Sequence, residues 1–303
     1  MTVLQAVALT KAFGSFKALS GVTMEVREGE VYGFIGPNGA GKSTTIRILL
    51  GLLGATSGNA RIFGMDAWRD AVAIHKRLAY VPGDVNLWPN LTGGEAIDLF
   101  ASLRGSSDAR KRAELLERFK LDPTKKCGTY SKGNRQKVAL VAAFSSGADL
   151  YILDEPTSGL DPLMEMTFQQ CVREAKEAGK SVLLSSHILS EVEKLCDRVG
   201  IIRDGRIIET GTLEQLRHLT RMSMRVVTRQ PVAALGELHG VHDIAGEDSS
   251  LTFQVDAEHM EGVMRHISQF GVLKLESAPP TLEDLFMRHY DHAGSAQKAE
   301  AER

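Results

Sequence analysis

Gly36-Pro37-Asn38-Gly39-Ala40-Gly41-Lys42-Ser43-Thr44 stands directly after an apolar run over 31–35 and enters a helical pattern over 43–53. It fits the spacing G-x-x-x-x-G-K-[ST], with a strand before it and a helix after it as that spacing requires. The glycines let backbone N–H groups turn inward on phosphate oxygens, at the positive end of the coming helix. On this reading Gly36, Pro37, Asn38, Gly39, Ala40, Gly41, Lys42, Ser43 and Thr44 cradle the phosphates of a nucleotide such as ATP. Lys42 neutralises the β- and γ-phosphates, and the Ser43 hydroxyl ligates Mg²⁺. A glycine turn with a surface lysine would explain the loop but not its flanks. Strand, glycine loop and helix open an α/β fold of the P-loop NTPase type.

Working outward, the apolar run 150–153 ends in two carboxylates, Asp154 and Glu155. Asp154 suits Mg²⁺, directly or through water, and Glu155 is placed to polarise an attacking water. A second buried-strand run, 181–184, also ends in polar residues. Strands end so where a ligand sits at the carboxyl edge of a parallel sheet. Residues 4–9 and 22–26 alternate as strands do, and 94–144 is mainly helical, giving a helical subdomain over about 85–145.

Tyr130-Ser131-Lys132-Gly133-Asn134-Arg135-Gln136, just upstream of the Asp154 strand, resembles the signature motif of the ABC ATPases. Ser158-Gly159-Leu160-Asp161 resembles that family's D-loop, and Ser185-Ser186-His187 its switch histidine. Phosphate loop, signature, acidic strand, D-loop and histidine fall in the family's order. The resemblance implies two ATP-binding subunits closed head to tail, each ATP lying between the phosphate loop of one and the signature of the other. It implies that Ser131 and the Gly133 amide contact the γ-phosphate in trans. It likewise implies that His187 holds the γ-phosphate and the attacking water in cis, and that Phe13, before Gly14, stacks on adenine. With Glu155 and Lys42, His187 completes the catalytic set.

Two departures stand out. Where the family carries a glutamine after the strand at Tyr80-Val81-Pro82, this chain has Gly83-Asp84, and Asp84 is a further candidate Mg²⁺ ligand. The signature carries Lys132 and Asn134 where glycine and glutamine are commonest. In the family, the segment after the glutamine position forms the groove that accepts the membrane subunit. Leu87-Trp88-Pro89-Asn90-Leu91 offers an aromatic anchor there. The chain as a whole resembles ATP-binding subunits of daunorubicin-resistance-type drug and antibiotic exporters, on Val81-Pro82-Gly83-Asp84, the signature and Leu282-Glu283-Asp284-Leu285-Phe286. That implies export energised through a separate multi-span permease, at the cytoplasmic face of the membrane. An importer ATPase is the alternative, disfavoured by the absence of a β-barrel-like C-terminal pattern. Chromosome-maintenance ATPases need a long coiled coil between Lys42 and Tyr130, and no heptads occur there. Translation-type members carry two phosphate loops in one chain.

The formal net charge of −2 gives no argument for nucleic acid as a partner. Cys127, Cys171 and Cys196 are far apart and odd in number, which argues for a reducing compartment and against a disulfide framework. The first residues lack a basic segment followed by an apolar one, so no signal peptide is expected. The longest apolar stretch, 46–55, is broken by Arg47, Gly51 and Gly54 and is too short for a bilayer.

The pattern changes near 218–222, so an ATP-binding domain is expected over 1–220 and an accessory domain over 221–291. Strand 223–228, helix 232–238, strands 242–245 and 251–255, helix 259–270 and strand 272–276 make a βαββαβ order, a small split-βαβ α+β domain. A helix over 282–290 closes it, and 292–303 reads as a disordered tail.

Overall fold

The computed structural model describes residues 1–278 apart from 106–107, 219–220 and 248. The helix expected at 282–290 and the tail at 292–303 therefore lie outside the described residues. Two compact units divide between Thr210 and Gly211.

In the first unit, β1 (Thr2–Phe13) and β2 (Phe16–Arg27) form an antiparallel hairpin. Then come β3 (Val31–Ile35), α1 (Lys42–Leu49), β4 (Ser57–Ile62), β5 (Met65–Asp66), α2 (Ala71–His75) and β6 (Leu78–Val81). Helices α3 (Gly93–Arg104), α4 (Ala109–Arg118) and α5 (Lys132–Phe144) fill the helical stretch, with a 3-10 turn at Cys127–Thr129. The unit continues with β7 (Leu150–Asp154), α6 (Pro162–Glu177), β8 (Ser181–Ser186), α7 (Leu189–Leu195) and β9 (Arg198–Arg203), and its boundary falls within β10 (Arg206–Thr212).

The central sheet has the order β10-β9-β3-β8-β7-β6, with β9, β3, β8, β7 and β6 parallel. Every residue of β3, β7 and β8 is buried. A parallel strand covered on both faces needs such an unbroken run, and this is why these three read as apolar stretches. A second sheet, β2-β1-β4-β5, alternates buried and exposed positions and lays Leu4, Leu9, Val22 and Val26 into the same core as Ile46 and Leu49 of α1. The parallel register sets β3 beside β8 and β8 beside β7. The phosphate loop, His187 and Asp154-Glu155 therefore leave one sheet edge together.

The second unit contains α8 (Leu213–His218), β11 (Met222–Thr228), β12 (Val241–Glu247), β13 (Ser250–Val255), α9 (Met260–Ser268) and β14 (Val272–Ala278). Its antiparallel sheet has the order β12-β13-β11-β14, the split-βαβ arrangement. Met224, Val226, Phe253, Val255, Val263 and Ile267 form its core. The expected helix at 232–238 is absent. Only a 3-10 turn, Leu235–Glu237, forms there, because Ala234 takes a left-handed φ of 55° and Gly236 follows it. The turn still buries Leu235, with Val232 and Leu238 packed beside it.

Candidate active site

Gly41 ends the phosphate loop at φ 111°, a conformation open to glycine and costly for other residues. A Cβ there would also meet the Leu19 side chain at 2.7 Å. The loop thereby delivers Lys42 and the exposed Ser43 at the first turn of α1. Lys42 is buried, and its Nζ donates to the carbonyls of Gly36 at 2.5 Å and Pro37 at 3.3 Å. Burial pushes the Lys42 ammonium below the usual lysine range, while Glu155 and Asp154 pull it back up. A buried ammonium must be hydrogen-bonded, and these loop carbonyls meet that need.

Asp154 ends β7, is buried, and accepts a hydrogen bond from the Ser185 hydroxyl of β8. Glu155 follows in a left-handed conformation, φ 47°, with its N–H donating to the Ser185 carbonyl at 3.0 Å. Its Oε1 lies 3.7 Å from Lys42 Nζ and 3.2 Å from His187 Nδ1. Backbone strain at a non-glycine residue costs on the order of 1–3 kcal/mol and persists where surrounding structure enforces it. Here it aims one carboxylate between a lysine and a half-exposed imidazole.

Ser131 caps α5, its Oγ accepting from the Asn134 N–H at 3.3 Å. A Cβ on Gly133 would stand 2.3 Å from the Gly159 carbonyl oxygen, so the first turn of α5 packs directly on the loop after β7. Lys132 Nζ donates to Ser158 Oγ at 2.6 Å across the same junction. The contacts of Ser131 and Gly133 thus run along α5 and to this loop. Those of Lys42 run to Gly36, Pro37 and Glu155. Phe13 ends β1 with its ring half exposed, and Lys11 Nζ sits 5.1 Å from the ring centre. Asp84 is exposed in the loop after β6, whereas its neighbour Gly83 backs onto the Asp154 carbonyl.

Three contributors escaped the sequence reading. Ser185 anchors both Asp154 and the Glu155 backbone. Gln136, fully buried, donates to the carbonyls of Pro156 at 3.0 Å and Pro82 at 3.4 Å, joining α5 to the loops after β7 and β6. Lys132 holds Ser158. Ser185, Gln136 and Lys132 each lie inside a recognised motif, but their partners are set by sheet order and helix docking.

The bacitracin transport ATP-binding protein BcrA of Bacillus licheniformis is 33% identical over 308 residues, covering 95% of this chain and 97% of that protein. The chain belongs to the ATP-binding proteins of ABC transporters. In this ABC ATPase the ABC transporter family matches residues 19–158, and the C-terminal domain of DrrA1-3-like ATP-binding proteins matches residues 211–290. The daunorubicin resistance ATP-binding protein DrrA3 of Streptomyces coeruleorubidus is 34% identical, over 91% of this chain and 92% of that protein. The structure of an ATP-binding subunit of an ABC transporter superposes with a TM-score of 0.68 at 36% identity, covering 72% of this chain and 92% of that one. A dimeric ATP-binding cassette bound to ADP and Pi gives 0.63 at 27% identity, over 69% of this chain and 98% of that one.

This ABC ATPase binds and hydrolyses ATP, and members of its family work as dimers with a membrane permease. Among the described residues no helix is long and apolar enough to cross a membrane.

Proposed function

We propose that this ABC ATPase closes head to tail with a second ATP-binding subunit and energises export of a drug- or antibiotic-like compound through a separate multi-span permease. The observation that carries the chemistry is the convergence of Lys42 and His187 on one Glu155 oxygen, at 3.7 and 3.2 Å. ATP phosphates enter the cradle of Gly36 to Thr44, and Lys42 exchanges its loop carbonyls for the β- and γ-oxygens. Glu155 then orients water for in-line attack, and His187 steadies that water and the γ-phosphate. The partner's Ser131 hydroxyl and Gly133 amide present the positive end of α5 to the same γ-phosphate. Phe13 offers its exposed ring to adenine.

The donors suit Mg²⁺: an exposed Ser43 hydroxyl and the Asp154 carboxylate are hard oxygen ligands, completed by phosphate and water. Asp84, exposed in the loop after β6, would add a further carboxylate for the ion. When bound, the ion neutralises charge that builds on the β- and γ-oxygens.

Docking of the permease falls to a groove of about 630 Å³ in the first unit, walled by Val85, Leu87, Trp88, Phe100 and Leu103. Trp88 and Phe100 meet with ring centres 6.3 Å apart. His75, Lys76 and Arg104 also line the groove, and among the described residues no carboxylate does. It therefore fits an amphipathic segment of the permease with an acidic side chain, and on this reading the subunit sits peripherally at the cytoplasmic face of the membrane. The export reading draws on the names of the relatives, which act in bacitracin transport and daunorubicin resistance. The second unit is proposed as a separable accessory module.

Purification in detergent from the native cell tests this reading. A multi-span membrane chain should co-purify, and Trp88→Ala together with Leu87→Ala should release it without lowering ATP binding. Recovery of the ATPase free of any membrane chain under mild detergent would count against a transport role.

A further inference from the structure

Glu191, in the first turn of α7, is buried to 6% exposure although it is a carboxylic acid in a surface-helix pattern. Its Oε2 accepts from the Ser186 hydroxyl at 3.1 Å, and its carboxyl also meets the Thr157 hydroxyl. Its Oε1 is buried with no hydrogen-bond partner among the described residues. Ser186 is the residue before His187, and its Oγ also accepts from the Ile188 N–H at 2.9 Å. Thr157 stands two residues after Glu155, where it is itself buried. One carboxyl therefore bridges the turn that carries the histidine and the turn that carries the carboxylate. A cavity of about 210 Å³ adjoins them, lined by Glu155, Thr157, Glu165, Ser186, His187 and Ile188.

A buried carboxyl with an unsatisfied oxygen is costly, on the order of 1–3 kcal/mol. An apolar residue at this helix position would avoid that cost, so packing alone does not account for Glu191. We infer that Glu191 is a positioning residue for ATP hydrolysis, tying Ser186 to Thr157 so that His187 and Glu155 keep their 3.2 Å approach. The inference rests on the reading that Glu155 and His187 act in turnover. Burial and the neighbouring charge of Glu165 push the Glu191 carboxyl above its ordinary range, while Thr157, Ser186 and His187 hold it down. What the tether needs is an acceptor for the Ser186 hydroxyl with Thr157 beside it, and a glutamine carbonyl supplies that without a charge.

The experiment compares Glu191→Leu, Glu191→Gln and Thr157→Val in the full-length protein, beside Glu155→Gln. Leucine keeps the volume and removes the acceptor. Glu191→Leu should lower kcat by about tenfold or more, as a small misplacement of catalytic groups does, with KM for ATP and thermal midpoint near parental values. Thr157→Val should lower kcat in the same direction. Glu191→Gln should stay within about threefold of the parent, because it keeps the acceptor. Parental kcat in Glu191→Leu or Thr157→Val, equal loss in Glu191→Gln, or loss expressed in KM alone would each overturn the tether. If Glu191→Leu does not fold, Thr157→Val and Glu191→Gln still decide. A fully active Glu155→Gln would instead overturn the underlying site reading.

Discussion

Glu155→Gln separates chemistry from stability more cleanly than any other single change here. Glu155 Oε1 lies 3.7 Å from the Lys42 ammonium and 3.2 Å from the His187 imidazole, on a side chain 27% exposed. A unit pair at that separation is worth about 4 kcal/mol gross at an effective dielectric near 20. Net values for accessible pairs fall to about 1 kcal/mol or less. The amide keeps the shape, and the left-handed backbone at φ 47° is equally strained in both proteins. The thermal midpoint should therefore move by no more than about 3 °C for a unit of this size. Turnover behaves otherwise, because an amide cannot draw a proton from water. Loss of a positioned base costs about 10²–10⁴-fold, or roughly 3–5 kcal/mol of barrier. Single-turnover phosphate release, nucleotide binding by fluorescence and size-exclusion chromatography with ATP should show slow hydrolysis, retained affinity and an accumulated dimer. Turnover close to the parental rate, in folded protein that binds ATP normally, would refute the assignment of Glu155 as the base.

Gly133→Ala should abolish most ATPase activity yet leave ATP binding to the monomer intact, because its Cβ would stand 2.3 Å from the Gly159 carbonyl; steady-state turnover and equilibrium binding check this. ATP binding should be accompanied by proton uptake on the alkaline side, because burial lowers the Lys42 ammonium below the usual lysine range and the phosphates favour its charged form. Calorimetry in buffers of different ionisation enthalpy measures it, and Lys42→Met should remove it. Truncation after Thr210 should leave a soluble unit that still binds ATP, since the division there separates two cores; loss of all folded protein would make them one. Asp84→Ala should raise the Mg²⁺ concentration for half-maximal activity, and an unchanged Mg²⁺ titration would remove Asp84 from the groups that serve the ion.

Legibility in the sequence followed how local each constraint is. The phosphate loop is legible because a few consecutive residues satisfy it: glycine conformations, inward N–H groups and the start of α1 all lie between Gly36 and Ser43. The buried strands β3, β7 and β8 were equally plain, since parallel strands covered on both faces leave no room for polar alternation. The helix at 232–238 was misread because Val-Ala-Ala-Leu satisfies helical propensity, whereas the native chain turns left-handed at Ala234. Ser185, Gln136 and Glu191 were invisible for a different reason. Their roles depend on which strand neighbours β7 and on where α5 and α7 rest, and no run of neighbouring residues encodes that. Glu191 in particular sits among Ser, Val and Lys, as an exposed helix residue would.

Gly83 shows how a departure from the family pattern can be read once the packing is known. With no side chain, it cannot reach the nucleotide as a glutamine would, so its contribution is the closeness of its backbone. A Cβ at this position would lie 3.1 Å from the Asp154 carbonyl oxygen and 3.5 Å from the Glu155 Cβ. On one side of Gly83 is Pro82, whose carbonyl shares the Gln136 amide with Pro156, the residue after Glu155. On the other side, Val85, Leu87 and Trp88 line the apolar groove. The groove wall and the Glu155 turn are therefore joined by a short run of backbone contacts and one buried glutamine. Close packing here leaves little free space between the groove loop and the Asp154–Glu155 peptide. A side chain at position 83 would crowd the Asp154 carbonyl and require a shift of a few tenths of an ångström, so the loop and β7 are closely fitted here.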